Sequence, residues 1–456
     1  MKLAGMEPPP LKPVSFLTRI RAAGGNPFET LPLAAYQQPI YESDSILGKM
    51  LVVSDSDSVR RVLLENVGNY PKNEMEIRFF SAMFGEGLLS AGAEKWRAHR
   101  KIMAPSFGAR SVAAYAPVMA EAAVEFAAGW AKLPQHAEID ITEQMQSLTL
   151  KIICRTMFSS DAEELAALAG DALDFVQSTL KFGLLDVLPM LGPLRIKRKQ
   201  EAIRDRFGRM NAAIYRLIGE REKNLNSAPN DLLTRLIAAK DPDDGAGLNA
   251  SEVRDEVITI FMAGHETTAV TMTWVWYLLS QHPQTAARLR VEVDSVLGAR
   301  VPTTEDVPKL VYARMIVEEA MRMYPPAPGI SVRQAVSDDE LCGLKVAAGT
   351  QVLVAPWVLH RHQLYWDRPE VFDPERFLPE RSEHRPRYAY LPFGGGPRIC
   401  IGATLAMTEA VVILAVLARQ FRLDLVPSQT IKLLARITLR PQHGIKMTVE
   451  RDTPVP

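Results

Sequence analysis

The sequence predicts a mainly helical protein with small β-sheets, folded as a single large domain over residues 1–456 around a long central helix. Three observations predict it. The stretches from Ala113 to Ala131, from Asp161 to Lys223 and from Leu405 to Gln420 all favour helix. A segment from about Asn249 to His282 is apolar nearly all round, as a buried helix should be. No Gly/Ser linker, low-complexity tract or internal repeat divides the chain, although its length alone would favour roughly two or three domains.

At the N-terminus, Met1 to Pro10 contains no long apolar run, so neither a signal peptide nor a membrane anchor is expected. Trp96 and Arg100 lie four apart on an expected short helix and share a face. An indole N–H and a guanidinium on one face suit a carboxylate. Phe182 to Leu194 is apolar but broken by Gly183, Pro189, Gly192 and Pro193, and reads as a loop between two helices. In the central segment, Asn249 and Glu252 have the spacing of a capping box, and Pro283 marks the stop. About 30 helical residues would span about 45 Å. Ala263-Gly264-His265-Glu266-Thr267-Thr268 sits in the middle of this apolar stretch. An acid and two threonines there are costly unless something uses them, and Gly264 weakens the helix by about 1 kcal/mol relative to alanine. Glu319 and Arg322 share a helix face at i and i+3, and Pro325-Pro326 ends that helix. Short β signals follow around Gln351 to Ala355 and Ile431 to Val449.

The most specific motif is Phe393-Gly394-Gly395-Gly396-Pro397-Arg398-Ile399-Cys400-Ile401-Gly402. A lone cysteine is most often a small buried hydrophobe, and a glycine run is often a turn or a phosphate loop. The strand-then-helix GxGxxG and GK[ST] patterns are both missing here, so phosphate binding is poorly supported. Backbone N–H groups of a Gly-rich turn and the positive end of the next helix can keep a thiolate ionised. The glycines let the main chain approach something large and flat, and Arg398 offers a fixed charge to a carboxylate. Together these features suit a cysteine that ligates haem iron beside an arginine that holds a propionate.

On these motifs the chain resembles the cytochrome P-450 family of haem-thiolate monooxygenases, of the soluble bacterial type. The resemblance runs from Trp96 to Gly402 and takes in nearly the whole chain. It implies haem b as cofactor, with Cys400 as metal ligand. It further implies cofactor contacts from Trp96, Arg100, Arg333, Arg398, Phe393, Ala263 and Gly264. Glu266 and Thr267 match the acid–alcohol pair that delivers protons on the distal side. Glu319 and Arg322 would form a buried network with Arg376 of Phe372-Asp373-Pro374-Glu375-Arg376-Phe377. Pocket positions come from Met75 to Phe84, Ala327 to Val332 and Ile437 to Leu439, and include Phe261, Ala327, Ile330, Ile437 and Thr438. The Phe182 to Leu194 loop would roof the substrate entrance.

The implied reaction takes O2 and two electrons and hydroxylates or epoxidises a hydrophobic small molecule of the fatty-acid, terpenoid or steroid class. Electrons would come from a separate ferredoxin or flavodoxin with its reductase, docked at a basic patch that includes Arg97 and Lys101. A peroxide-using or rearranging haem-thiolate enzyme is one alternative; a haem sensor or electron carrier without turnover is another. The Glu266-Thr267 pair argues for oxygen activation.

Composition agrees. A formal net charge of zero implies no general attraction to nucleic acid or an acidic membrane. Cys154, Cys342 and Cys400 are odd in number and widely spaced, which fits no disulfide framework and a cytoplasmic setting. His360 and His362 without further ligands make a poor zinc site and read as structural. A monomer is expected.

Overall fold

The computed structural model describes residues 3–15, 18–19, 22, 24–45, 48–179 and 192–451. The described chain is mainly helical with small sheets. It groups into two compact units, each assembled from separated stretches of sequence. Met1–Tyr70, Ala113–Thr149 and Glu266–Pro456 form the first; Pro71–Val112 and Leu150–His265 form the second. Among the described residues no helix is long and apolar enough to cross a membrane.

In the first unit a four-stranded sheet runs Ile40–Ser45, Gly48–Val53, Gln351–Leu353 and Arg333–Gln334 in spatial order. The first two strands are antiparallel, and Gly48–Val53 lies parallel to Gln351–Leu353 with Leu51 opposite Val352. Alternate residues of these strands face an apolar cluster that includes Leu51, Val53, Leu63, Tyr70, Val352 and Leu391. The parallel pairing thus fastens an N-terminal stretch beside the segment that leads to the cysteine loop. The β signal near the C-terminus resolves into three strands. Leu433–Ala435 pairs with Leu439–Pro441, while Lys446–Arg451 lies between Ala137–Asp140 and Phe421–Leu425.

Helix Ala403–Ala418 is apolar on almost every face and buried along most of its length. Glu409 is its one charged residue, and burial pushes that carboxyl well above its usual range. Near the N-terminus, the Ala4 N–H donates to Tyr277 Oη at 3.0 Å and the Ala4 carbonyl accepts from Tyr324 Oη at 2.8 Å. Tyr324 in turn stacks on Trp274, with ring centroids 4.1 Å apart.

The second unit packs helices around aromatic rings. Phe84 stacks on Phe80 and meets Phe207 edge-on. Within the helix-favouring stretch from Asp161 to Lys223, the described parts are two helices, Glu163–Thr179 and Gly192–Lys223. Most of the expected loop from Phe182 to Leu194 lies outside the described residues. Its last three, Gly192 to Leu194, are already helical, because Pro193 falls in the first turn, where a missing N–H costs nothing. Lys101, expected to dock an electron carrier, instead pairs with Asp241 at 2.7 Å and with Asp243. Its charge is spent within the fold, on partners 140 and 142 residues away in sequence.

The long helix, Ala250–Gln281, supplies residues to both units. Its capping box is complete. Asn249 Oδ1 accepts the N–H groups of Ser251 and Glu252 at 3.0 Å each, and the Asn249 N–H donates back to Glu252 Oε2 at 3.0 Å. The helix ends at Gln281, and Pro283 opens the next one in its first turn. The buried threonines meet their polar need locally. Thr271 and Thr273 donate to the carbonyls of Thr267 and Ala269, one turn back, at 2.9 and 2.8 Å. Asn249→Ala removes the cap; unfolding in denaturant should show a loss of about 1 kcal/mol.

Candidate active site

The cysteine loop is shaped by two left-handed glycines, Gly394 at φ +74° and Gly396 at φ +68°. The Cys400 N–H donates to the Phe393 carbonyl at 2.9 Å and closes the loop around the tight turn Gly396–Arg398. A Cβ on Gly396 would lie 1.8 Å from the carbonyl oxygen of Leu63. Close approach is therefore the reason for this glycine, as the sequence predicts. The group approached is the backbone of the turn Arg61–Glu65 rather than a flat ligand. Gly402 is the N-cap of helix Ala403–Ala418, so the helix begins with its positive end beside the cysteine. The Cys400 side chain is exposed, whereas burial raises the Cys154 thiol to about 12. Exposed Cys342 sits at a hairpin turn between Asp339–Leu341 and Leu344–Val346.

Behind the loop lies the network predicted from Glu319, Arg322 and Arg376. Arg322 Nε and Nη2 donate to the two Glu319 oxygens at 2.6 and 2.8 Å. Its Nη1 donates to the carbonyls of His360 and Pro369, and Nη2 also to that of Val371. Arg376 Nε stands 3.4 Å from Glu319 Oε1, which also accepts the Asp373 N–H at 2.9 Å. Sequence reasoning read His360 as structural but missed what it joins. Its Nε2 accepts the Leu391 N–H at 2.8 Å, linking this network to the start of the cysteine loop. Burial, with Arg322 and Arg361 nearby, holds the imidazole well below its usual pKa, so it is a neutral acceptor. A histidine followed by Arg361 and His362 carries no signal for that role.

The long helix is buried around its middle except along one strip. Ala263 is exposed, Gly264 and Thr267 are half-buried, and Phe261, Met262, His265, Glu266 and Thr268 are buried. Positions 263, 264 and 267 share a face. Glu266 is 6% exposed, and its Oε1 accepts a hydrogen bond from Thr438 Oγ1 at 2.8 Å. Thr438 lies in a turn pinned on either side of the chain. The Leu439 carbonyl accepts from Trp274 Nε1 at 3.0 Å, and the Leu439 N–H donates to the Pro326 carbonyl at 3.0 Å.

The other sequence-derived positions fall as follows. Arg333 is buried in its short strand, with Nη1 3.4 Å from the Tyr70 carbonyl. Arg398 and Phe393 are half-buried in the cysteine loop. Trp96 and Arg100 lie on helix Ala93–Met103 and are both half-buried. Ala327 is exposed between buried Pro326 and Pro328, and Ile330 and Ile437 are half-buried. Phe261 and Thr438 depart from the expected open pocket wall. The Phe261 ring is fully buried against Phe158, at 5.9 Å between centroids, and Thr438 is turned onto Glu266.

Among the described residues no three His, Cys, Asp or Glu side chains gather to hold a metal. The donor set around Cys400 is one exposed thiol. That fits a metal whose remaining ligands come with a macrocycle and not with the protein, as in haem. Ala263 is small and exposed, which fits close approach of a large flat group, whereas a Cβ on Gly264 would meet the Ile153 side chain at 3.1 Å.

The chain matches the family model described as Cytochrome P450 over residues 8–449. It is 36% identical to cyclooctatin synthase of Streptomyces melanosporofaciens, across 82% of this chain and 79% of that protein. It is 33% identical to pentalenene oxygenase of Streptomyces avermitilis, across 81% of each. A plant relative, LUTEIN DEFICIENT 5 (chloroplastic) of Arabidopsis thaliana, is 31% identical across 88% of this chain and 70% of its own.

Arg322→Leu would strand the buried Glu319 carboxylate and leave the carbonyls of His360, Pro369 and Val371 without their donor. The expected loss is about 3–5 kcal/mol, read as a lower thermal midpoint and a collapse in soluble yield.

Proposed function

Since the chain belongs to the cytochrome P450 family of haem b monooxygenases, we propose that its substrate is a terpenoid, hydroxylated or epoxidised with electrons from a separate ferredoxin or flavodoxin and its reductase. The observation that carries this reading is an exposed Cys400 thiol in a loop braced by a buried ion-pair network, in a chain whose long helix opens only beside Glu266 and Thr267. The terpenoid class draws support from the names of relatives, pentalenene oxygenase and cyclooctat-9-en-7-ol 5-monooxygenase. Ala327, Ile330 and Ile437 serve as the proposed apolar walls.

In this proposal Cys400 Sγ would ligate the haem iron, and Phe393, Ala263 and Gly264 would be further contacts of the cofactor. Arg333, Arg398, Trp96 and Arg100 hold the propionates. When bound, the haem supplies the oxidising chemistry that inserts one atom of O2 into the substrate. The chain's own residues do the rest. Apolar side chains hold the substrate and exclude water. Thr438 fixes one oxygen of the Glu266 carboxylate at rest, and Glu266 and the Thr267 hydroxyl pass protons inward. The exposed Arg387 and the apolar residues Tyr388, Phe393 and Met407 line a cleft of about 530 Å³ on the cysteine loop, which we assign to the electron carrier in place of Lys101. A monomer in the cytoplasm completes the proposal, in keeping with cysteines that form no disulfide among the described residues.

Reduced protein under carbon monoxide should give the strongly red-shifted Soret band of thiolate ligation, and Cys400→Ser should lose it. An imidazole-type spectrum in the unmodified protein would end the assignment. A spin-state screen should show larger shifts with polycyclic terpenoids than with fatty acids; the reverse order would discard the substrate class. With a substrate so identified, Thr267→Ala should divert reducing equivalents to peroxide. Thr438→Val should produce a milder uncoupling of the same kind, by about 2- to 10-fold, because Glu266 loses one hydrogen bond and keeps its proton chemistry.

A further inference from the structure

His99 lies between Trp96 and Arg100 in sequence and is almost wholly buried. Its Nδ1 is 2.6 Å from Glu256 Oε1, and its Nε2 is 3.5 Å from Glu252 Oε1. Glu256 is fully buried, and its second oxygen accepts the Leu88 N–H at 3.0 Å. One residue before it, Asp255 Oδ2 accepts the Glu86 N–H at 2.7 Å. Successive acids of the long helix thus grip both the entry to helix Ala93–Met103 and its middle. That helix has 11 residues, and its N-cap, Gly92, makes no side-chain capping bond. A helix this short is marginal alone, so tertiary ties decide its rotation.

We propose that His99 is a positioning residue for the cofactor: gripped by Glu256 and Glu252, it fixes the rotation of helix Ala93–Met103 and so the placement of Trp96 and Arg100. The proposal rests on the propionate role given to that pair above. The grip depends on a proton. Burial by itself would lower the His99 pKa, but the hydrogen bonds and charges of Glu256 and Glu252 outweigh it and raise the pKa above its usual value. Burial likewise raises Glu256, and the His99 bond pulls it back. Lys95, 2.7 Å from Glu86 and 3.7 Å from Glu252, and Asp255 complete the charged surroundings. Both shifts have the same consequence. A raised histidine contributes stability below its unfolded value and loses it as pH climbs through the folded value. A raised carboxyl is likewise easiest to hold while protonated. Alkaline pH therefore leaves a buried carboxylate facing a neutral ring, and the helix loosens.

The test is the rate at which holoprotein gives up haem to excess apomyoglobin, followed from about pH 6 to about pH 10. In the unmodified protein, release should be slow near neutrality and accelerate on the alkaline side. His99→Gln should release haem about 10-fold faster near neutrality, with the alkaline step gone. An unchanged rate, or a faster one with the step intact, overturns the proposal, the second because it marks a merely structural residue. Should His99→Gln fail to fold, the partly exposed Glu252→Gln serves: its step should move to lower pH, and an unmoved step overturns the proposal. Arg100→Gln separates the two layers. Haem retained as tightly as in the unmodified protein defeats the propionate assignment itself. Fast release from Arg100→Gln beside normal behaviour of His99→Gln dismisses His99 alone.

Discussion

Arg322 holds the first unit together, because all five of its N–H donors are used and none reaches water. Two go to Glu319, and the others to the carbonyls of His360, Pro369 and Val371. Its side chain and that of Glu319 are both 0% exposed. Taking such a pair out of water costs several kcal/mol per ion, and attraction offsets this only when every remaining donor and acceptor is met. The segment from residue 360 to residue 376 is therefore folded to fit one guanidinium. His360 then carries that order to Leu391, at the threshold of the cysteine loop. The start of the loop is thus tied, through His360, to a charge some seventy residues upstream.

The same economy governs the long helix. Its polar residues are satisfied in ways that cost no change of path: threonines bond one turn back, and Glu266 meets Thr438. What stays open is a narrow run of small residues on one face. Between Asp255 and Leu279 the helix is buried everywhere except at Ala263, Gly264 and Thr267.

Much of this was legible in the sequence where cause and effect are close together. The Asn249–Glu252 box and the Glu319–Arg322 spacing are local patterns with one physical meaning each, whereas the glycines before Cys400 announce a close approach without saying that Leu63 is what approaches. The features that escaped are those whose partners are far along the chain. Thr438 reads as a pocket residue until Glu266, 172 positions earlier, is seen to take its hydroxyl proton in a hydrogen bond. Lys101 reads as a free surface cation until Asp241 arrives beside it. His99 draws no reading from the sequence, since its partner Glu256 lies 157 residues on. Periodicity identifies which face of an element is polar; it carries no information about which distant group will neutralise it.

The contact between Gly396 and Leu63 has a wider consequence for design. Because the loop's tightest point rests on the main chain of another segment, its shape is a property of two pieces of chain and not of one peptide. Transplanting the ten-residue signature into a different scaffold would move the sulfur but leave behind the surface against which its curve is moulded. Any graft would have to carry the Arg61–Glu65 turn with it, and diversification of either strand of this seam would have to be coordinated with the other.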